Sequence, residues 1–300
     1  MRDIALGQYY PAKSLIHRMD PRSKIIIAVM YLVAIFFINT YTVYLITILL
    51  LFVVVLISRI PIKLILKSVK PMLFLILFTA IINLFFTSVQ DKPFVIDLYF
   101  RQWTVNNIIF EVKWGFVHFG MTWTGVNNAI KMALRLILLV MGPSLLTLTT
   151  TPVTLTDGVE SLMKPLKLIR VPVHELALIM SITLKFIPTI MEETDKIMMA
   201  QRARCADFDS GNLFKKAKAM LPVLIPLFVS SLRRAEELAY AMDSRCYRGS
   251  TGRTKMKILK LRLWDYFSLL LSAVFLFLIL LIKFNWLNAW FSIDILSHLV

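Results

Sequence analysis

Apolar residues are grouped along the chain in five long runs, separated by polar or basic segments. Each run approaches the roughly 20 residues that a helix needs to cross the hydrocarbon of a bilayer, once its interfacial flanks are counted. The runs are residues 25–38, 44–57, 71–86, 125–148 and 264–282. This pattern predicts an all-α, polytopic membrane protein with about five transmembrane helices.

Two longer helical patterns lie between the fourth and fifth runs. The first extends from Val173 to about Arg204 and the second from Asn212 to about Tyr247. The first would be roughly 48 Å long, more than a bilayer core requires, and both become hydrophilic towards their C-terminal ends. Residues 196–262 contain 15 Lys and Arg against 5 Asp and Glu. We therefore predict that this part of the chain lies in the cytoplasm.

Basic residues also predict the orientation. The first 24 residues are basic, and residues 59–70 carry Arg59, Lys63, Lys67 and Lys70 without any acid. An excess of Lys and Arg in short loops marks the cytoplasmic side. Two predicted crossings separate these segments, so both, and with them the N-terminus, are predicted to be cytoplasmic. We expect no secretory leader, because no apolar run precedes the first basic residues.

The pattern predicts three domains. They are an N-terminal transmembrane domain, a middle domain with the two long helices and a C-terminal transmembrane helix with its tail, at residues 1–150, 151–262 and 263–300. Residues 88–124 have balanced charges and are rich in Trp, which is typical of a membrane interface; we expect an irregular or re-entrant segment there. Lys131 and Arg135, in the fourth run, are expected to snorkel or to pair within the protein.

Composition supports the membrane class and excludes several others. The chain is 58% hydrophobic and only 17% charged, with a mean hydropathy of +0.73. A soluble domain is less apolar and more charged, and disordered chains lack hydrophobic mass. Two cysteines exclude a disulfide scaffold. The net charge of +16 could serve nucleic acid, anionic lipid or cytoplasmic loops, but no nucleic-acid module is recognisable, so we predict no nucleic-acid partner.

One sequence element occurs twice. Ala200–Cys205 and Ala241–Cys246 share the order Ala, two variable residues, a small residue, Arg and Cys, and each ends a predicted long helix. Small neighbours allow another protein to approach, and the planar guanidinium can then donate to its carbonyls or carboxylates. A single such Arg would be read as a helix cap that complements the dipole; the repetition favours two equivalent docking points.

The sequence gives little support for metal binding or catalysis. Two cysteines are too few for a closed zinc site, and a small apolar role suits them better. No phosphate-binding loop or nucleophile elbow is present, so we predict that this chain is not an enzyme. Glu192, Glu193 and Asp195 share one helical turn and are predicted to form a solvated face.

The residues resemble the transmembrane T component of energy-coupling factor (ECF) transporters, the vitamin and metal importers of the ABC class. The resemblance covers nearly the whole chain, and the two Arg hexads are its most specific part. Its segments are GQYYP at 7–11, SLIHRMDPRSK at 14–24, LLTLTTTP at 145–152, LKFIP at 184–188, AQRAR at 200–204 and AMDSRCYRG at 241–249.

The resemblance implies an L-shaped arrangement of transmembrane helices and long cytoplasmic coupling helices in the plasma membrane of a prokaryote. It also implies that the ends of these helices dock on two cytoplasmic ATPase subunits, expected to be a heterodimer, which bind the ATP and magnesium; this chain would bind no cofactor. The docking residues implied are Ala203, Arg204, Cys205, Ser244, Arg245 and Cys246. The family typically has Ala-Arg-Gly at each site, whereas this chain has Cys in place of Gly and Ser244 in place of the second Ala.

The resemblance further implies a second partner, a small substrate-binding membrane subunit. The residues implied for that contact are Leu176, Ile179, Met180, Leu221, Leu224 and Phe228. An alternative function is a self-contained secondary transporter or channel. Such a protein would need inverted repeats with broken helices; Pro188, Pro222 and Pro226 could break helices, but no repeat of the spans is visible.

Overall fold

Helices form most of the computed structural model, which describes residues 9–86, 94–98, 101–105, 108–114, 117–170, 172–206, 208, 213–249 and 261–283. The helices are α1 (Pro21–Phe37), α2 (Tyr41–Ser58), α3 (Ile62–Val69), α4 (Leu73–Phe86), α5 (Trp123–Thr149), α6 (Pro152–Leu162), α7 (Val173–Ala203), α8 (Leu213–Asp243) and α9 (Leu263–Lys283). Four strands lie between α4 and α5: β1 (Phe94–Leu98), β2 (Arg101–Val105), β3 (Ile108–Trp114) and β4 (Val117–Thr122).

The predicted polytopic helical membrane protein is confirmed. Within the described residues, five helical stretches are long and apolar enough to cross a membrane: Tyr41–Ser58, Ile62–Asn83, Gly125–Thr149, Val173–Ala203 and Leu263–Lys283. Their number agrees with the prediction, but one member differs. The first predicted run lies in α1, which has only 17 residues, whereas α7 has 31, and about 20 are needed to span.

The Trp-rich segment forms two β-hairpins, which the sequence analysis did not predict. β1 pairs antiparallel with β2, from Phe94 opposite Val105 to Leu98 opposite Arg101. β3 pairs antiparallel with β4, from Ile108 opposite Thr122 to Trp114 opposite Val117. β-branched and aromatic residues dominate these strands, and they favour extended backbone. Aromatic residues are also typical of a membrane interface. The sequence analysis therefore predicted an irregular or re-entrant segment at residues 88–124 and not strands.

The chain divides into two compact units, of which the larger comprises residues 7–151 and 259–300. Its core is built where α1 packs against α5 and α9, and buried residues from all three helices meet there, such as Ile35, Leu138 and Ile279. Gly142 of α5 lies directly against the ring of Tyr31, whose hydroxyl donates to the carbonyl of Leu138 at 3.0 Å. The close approach of α1 and α5 therefore depends on the missing side chain of Gly142.

Arg135 holds the α1–α2 hairpin from inside the larger unit. Its guanidinium donates to the carbonyl of Ile38 at 2.6 Å, to Asn39 Oδ1 at 3.1 Å and to the hydroxyl of Tyr44 at 3.2 Å. Ile38 and Asn39 belong to the short connection between the helices, so the guanidinium donates to the carbonyl of the residue that caps the end of α1. Lys131, one turn away, lies over the ring of Tyr41 at 5.1 Å. Both cations thus make contacts within the protein, as one of the two predicted alternatives required.

A buried carboxylate fixes the start of α9 to the start of α1. Asp265 is 1% exposed and accepts from the backbone N–H of Asp20 at 3.0 Å and from the hydroxyl of Ser23 at 3.2 Å. Its second oxygen accepts from the N–H of Arg262 at 2.7 Å. Lys24, also buried, donates to the carbonyl of Thr149 at 3.1 Å. Both Asp265 and Lys24 thus have hydrogen-bond partners, as the burial of a charge requires.

Candidate partner-docking site

The second compact unit, within residues 152–258, contains α6, α7 and α8. α6 attaches to the start of α7, where His174 Nδ1 lies 3.3 Å from Glu160 Oε1. α7 and α8 contact each other through polar side chains. Glu193 accepts from Arg234 at 2.6 Å and from the hydroxyl of Ser230. Glu193 therefore links the two helices, and the predicted solvated face is wrong for this residue, while Glu192 and Asp195 are exposed.

A further hydrogen bond between α7 and α8 uses a carbonyl that a proline leaves open. The carbonyl of residue 222 would normally accept from the N–H of residue 226, but Pro226 has no N–H. The side-chain amide of Gln201 lies 3.5 Å from this carbonyl and donates to it at the long limit of a hydrogen bond. Pro222 and Pro226 both lie inside α8, which continues as one helix through them.

These contacts show that α7 and α8 run antiparallel. As the position on α7 increases from Glu193 to Gln201, the partner on α8 falls from Arg234 to Pro222. The C-terminal ends of the helices therefore lie at opposite ends of the pair. At 1.5 Å per residue, they are separated along the axis by roughly 36 Å. The two cysteines at these ends are consequently too far apart to bind one metal ion.

The end of α7 has the hydrogen bonds of a Schellman motif. Arg204 is the C-cap, and Cys205 follows with a φ of 63°. The N–H of Cys205 donates to the carbonyl of Arg202 at 3.0 Å, and the N–H of Ala206 donates to that of Gln201 at 3.0 Å. This pattern closes a helix through one left-handed residue, which is usually Gly. Because the chain reverses there, Arg204 forms the tip of the helix.

The end of α8 repeats this geometry. Cys246 has a φ of 54° and donates to the carbonyl of Asp243 at 2.9 Å, and Tyr247 donates to that of Met242 at 3.1 Å. Arg245 thus holds the position that Arg204 holds on α7. The sequence analysis treated each Cys as a small substitute for Gly; the structure shows that the position is also left-handed, a property that no side-chain size reveals.

Both tips are open to solvent. The residues of the two predicted docking sets, Ala203, Arg204, Cys205, Ser244, Arg245 and Cys246, are all exposed. Neither Arg204 nor Arg245 forms an ion pair with a described residue. Each guanidinium can therefore offer its five donors to a partner. The structure does not bring the two sets together into one site; it places one at each end of the helix pair.

The predicted contact surface for a membrane partner is also exposed. Its residues are 46–64% accessible: Leu176, Ile179 and Met180 on α7, and Leu221, Leu224 and Phe228 on α8. On α8 they belong to a broader apolar stripe, completed by Met220, Ile225, Val229 and Leu232. Their spacing repeats every four residues, which puts them on one side of the helix. Val223, by contrast, is buried.

Sequence reasoning missed Glu193 and Gln201 as residues that join the helices. A signal for Gln201 existed, because Pro226 predicts an open carbonyl four residues earlier. It did not identify the donor, since the pairing of α7 with α8 joins residues far apart in the chain. For Glu193 there was no signal, because a carboxylate on an amphipathic helix is usually solvated.

Comparisons with known proteins show which sequences this chain resembles. A family described as cobalt transport protein matches residues 12–258. A protein of Ruminiclostridium cellulolyticum, named energy-coupling factor transporter transmembrane protein EcfT, is 49% identical over 284 residues, or 95% of this chain and 98% of the relative. Proteins of the same name are 43% identical in Lactococcus lactis, over 95% of this chain and 99% of the relative, and 43% identical in Bacillus subtilis, over 86% and 89%.

Proposed function

Because this chain belongs to the family of energy-coupling factor transporter transmembrane proteins, we propose that it couples two cytoplasmic ATPase subunits to a separate substrate-binding membrane subunit. The chain is a multi-pass membrane protein of a prokaryote and a component of a multi-subunit transporter. The observation that carries the proposal is the pair of equivalent Arg tips at opposite ends of α7 and α8.

The geometry of the tips suits two ATPase subunits, one at each end. The tips share the same Arg C-cap and the same left-handed Cys, so they can enter equivalent grooves on two related proteins. Arg is well suited to such a contact because its rigid fork of donors matches carboxylates and carbonyl groups. A movement of the two ATPases, driven by binding and hydrolysis of ATP, would then act on α7 and α8.

The apolar residues on α7 and α8 suit the substrate-binding subunit. No described residue covers this surface, and apolar patches of this extent mark contacts with lipid or with another protein. Within a bilayer, close van der Waals packing drives the association of helices, because no water is excluded when they meet. The cargo, a vitamin or a metal ion, would be held by that separate subunit. This chain would bind neither the cargo nor ATP and would catalyse no reaction.

Reversing both charges at the tips tests the proposal. We expect the double variant Arg204→Glu, Arg245→Glu to insert into the membrane normally but to lose its ATPase subunits on purification and to lose ATP-dependent uptake. Removing one partner of a buried charged pair costs 2 kcal/mol or more, so each contact should weaken by about 30-fold or more. Retention of the subunits in affinity purification from the native membrane measures this effect.

The matched control makes the same charge changes on the same helices away from the tips. Lys196→Glu with Arg233→Glu, both exposed, should keep the ATPase subunits and uptake. Unchanged uptake by the tip variant would contradict the docking proposal. A wild-type chain that purifies alone and transports in proteoliposomes would instead support a self-contained transporter.

A further inference from the structure

A cluster of cations lies on and beside the short helix α3. Arg59, Lys63, Lys67 and Lys70 are all exposed, and none forms an ion pair or hydrogen bond through its side chain with a described residue. The chain has no Asp or Glu between Asp20 and Asp91, so no nearby acid in sequence can neutralise them. At 100° per residue, the three lysines fall within one narrow arc of α3.

The opposite side of α3 is firmly packed. Ile65 is 1% exposed and belongs to the core, and the hydroxyl of Ser68 lies 2.6 Å from that of Ser144 on α5. The helix therefore cannot turn to bury its lysines. Ile62 and Leu66, which are 50% and 58% exposed, lie between the packed side and the lysines. This distribution is typical of a helix in the interfacial region of a membrane.

An apolar groove opens beside the same helix. It has a volume of about 200 Å³ and lies between α2, α3 and α5. Its lining is entirely apolar and includes Ile48 and Phe52 of α2 together with Ile62 and Ile65 of α3. The groove therefore adjoins the packed side and the Ile62 flank of α3, and the lysines lie beyond that flank. Ile48, Phe52 and Ile62 are each 43% exposed or more, so the groove is accessible from the side that faces lipid in a membrane.

We propose that α3 and this groove form a binding site for an anionic phospholipid. The phosphate of the headgroup would contact Lys63, Lys67, Lys70 and Arg59, while an acyl chain would occupy the groove that Ile62 helps to line. Lysine suits this task because its flexible apolar stem lets the ammonium reach the headgroup level. A basic cluster next to a spanning helix attracts anionic lipid by about 1 kcal/mol per cation. The unpaired cations and the apolar groove on one helix are the two observations that point to this ligand.

Lipid retention by the purified complex tests the proposal. We would reconstitute it in nanodiscs of phosphatidylglycerol and phosphatidylcholine, extract it gently, and identify the retained lipid by native mass spectrometry. Wild type should keep phosphatidylglycerol in preference. The variant Lys63→Gln, Lys67→Gln, Lys70→Gln should lose that preference, with affinity falling roughly fivefold for each lysine. Ile62→Trp, which fills the groove from a half-exposed position, should reduce retention of both lipids.

Two control variants match these changes. Lys216→Gln with Lys218→Gln neutralises exposed lysines on α8, and Ile46→Trp enlarges an exposed residue of α2 outside the groove; both should retain phosphatidylglycerol as wild type does. An unchanged preference in the α3 variant would overturn the proposal. So would displacement of the lipid by inorganic phosphate at similar concentration, because it would show that the groove adds nothing to binding.

Discussion

Cys205 and Cys246 occupy backbone positions at which every side chain other than hydrogen is strained. Their φ angles of 63° and 54° lie in the left-handed region, where the Cβ atom approaches the following carbonyl oxygen. Gly has no Cβ and adopts this conformation freely. The chain therefore carries a strained residue directly after the arginine at the tip of each helix, and the hydrogen bonds of the Schellman motifs hold it in this conformation.

Substitution of these cysteines by glycine should stabilise the helix ends. We expect Cys205→Gly and Cys246→Gly each to raise the free energy of unfolding by about 1 kcal/mol, because the strain at positive φ exceeds the entropy that Gly adds to the unfolded chain. Thermal unfolding of the purified complex measures the effect. Cys→Ala at the same positions keeps the Cβ and should leave stability nearly unchanged. A gain with Ala equal to that with Gly would show that the thiol, not the backbone, causes the strain.

At this scale the sequence correctly located the ends of the two helices, and the docking role of the residues there stays a prediction. The repeat of Ala, Arg and Cys was visible without any structure, and the structure places both arginines at helix tips. The left-handed conformation could not be predicted from the cysteines themselves, because Cys rarely adopts it. Only the typical Gly of the related family indicated that the backbone there is unusual.

Helices differ in how fully their sequences predicted them. The bounds of α7 agree with the prediction within one residue, and α8 ends four residues earlier than expected, because their apolar and polar positions keep a helical period over many turns. The hairpins between α4 and α5 were not predicted. Aromatic residues with balanced charge fit both a strand and an interfacial segment, and a local pattern does not decide between them.

The packing of α1 against α5 allows a sharp test at Gly142. A Cβ atom at this position would overlap the ring of Tyr31. We expect Gly142→Ala to lower the free energy of unfolding by about 1–3 kcal/mol, since overpacking forces the helices apart. Thermal unfolding in detergent measures the change.

A second background identifies the cause. Tyr31→Leu removes the ring that Gly142→Ala would meet, so the same substitution should cost little in a chain that already carries Tyr31→Leu. An equal cost in both backgrounds would mean that Tyr31 is not the obstacle and that α5 itself tolerates no side chain at residue 142.

The proposed function assigns one kind of partner to the Arg tips and another to the apolar stripe of α8. The Arg tips would bind ATPases, and the apolar stripe of α8 would bind the substrate-binding subunit. We expect Leu224→Glu with Phe228→Glu to release the substrate-binding subunit and abolish uptake while the ATPases remain bound, because a charge in an apolar contact is costly to bury. Quantifying each subunit after affinity purification checks this result.

The control for the apolar stripe is another exposed residue of the same helix. Tyr240 is 74% exposed and lies in the hydrophilic last third of α8, so Tyr240→Glu should keep all subunits. Loss of the ATPases together with the substrate-binding subunit in the Leu224 and Phe228 variant would contradict the separation of the two surfaces. The sequence analysis named the residues of both surfaces, but it could not predict how the surfaces are placed relative to each other, because that depends on the long-range pairing of α7 with α8.

That pairing has a mechanical consequence. Two helices linked at a single point can pivot about that point, whereas a second link restrains the angle between them. α7 and α8 are joined at Glu193 and again at Gln201, roughly 12 Å apart along the helix. Two links at different heights resist a change in the angle between the helices more than one link would. A change in the angle between the helices would stretch both links, and the 3.5 Å contact from Gln201 to the carbonyl of Pro222 is the longer and weaker of the two.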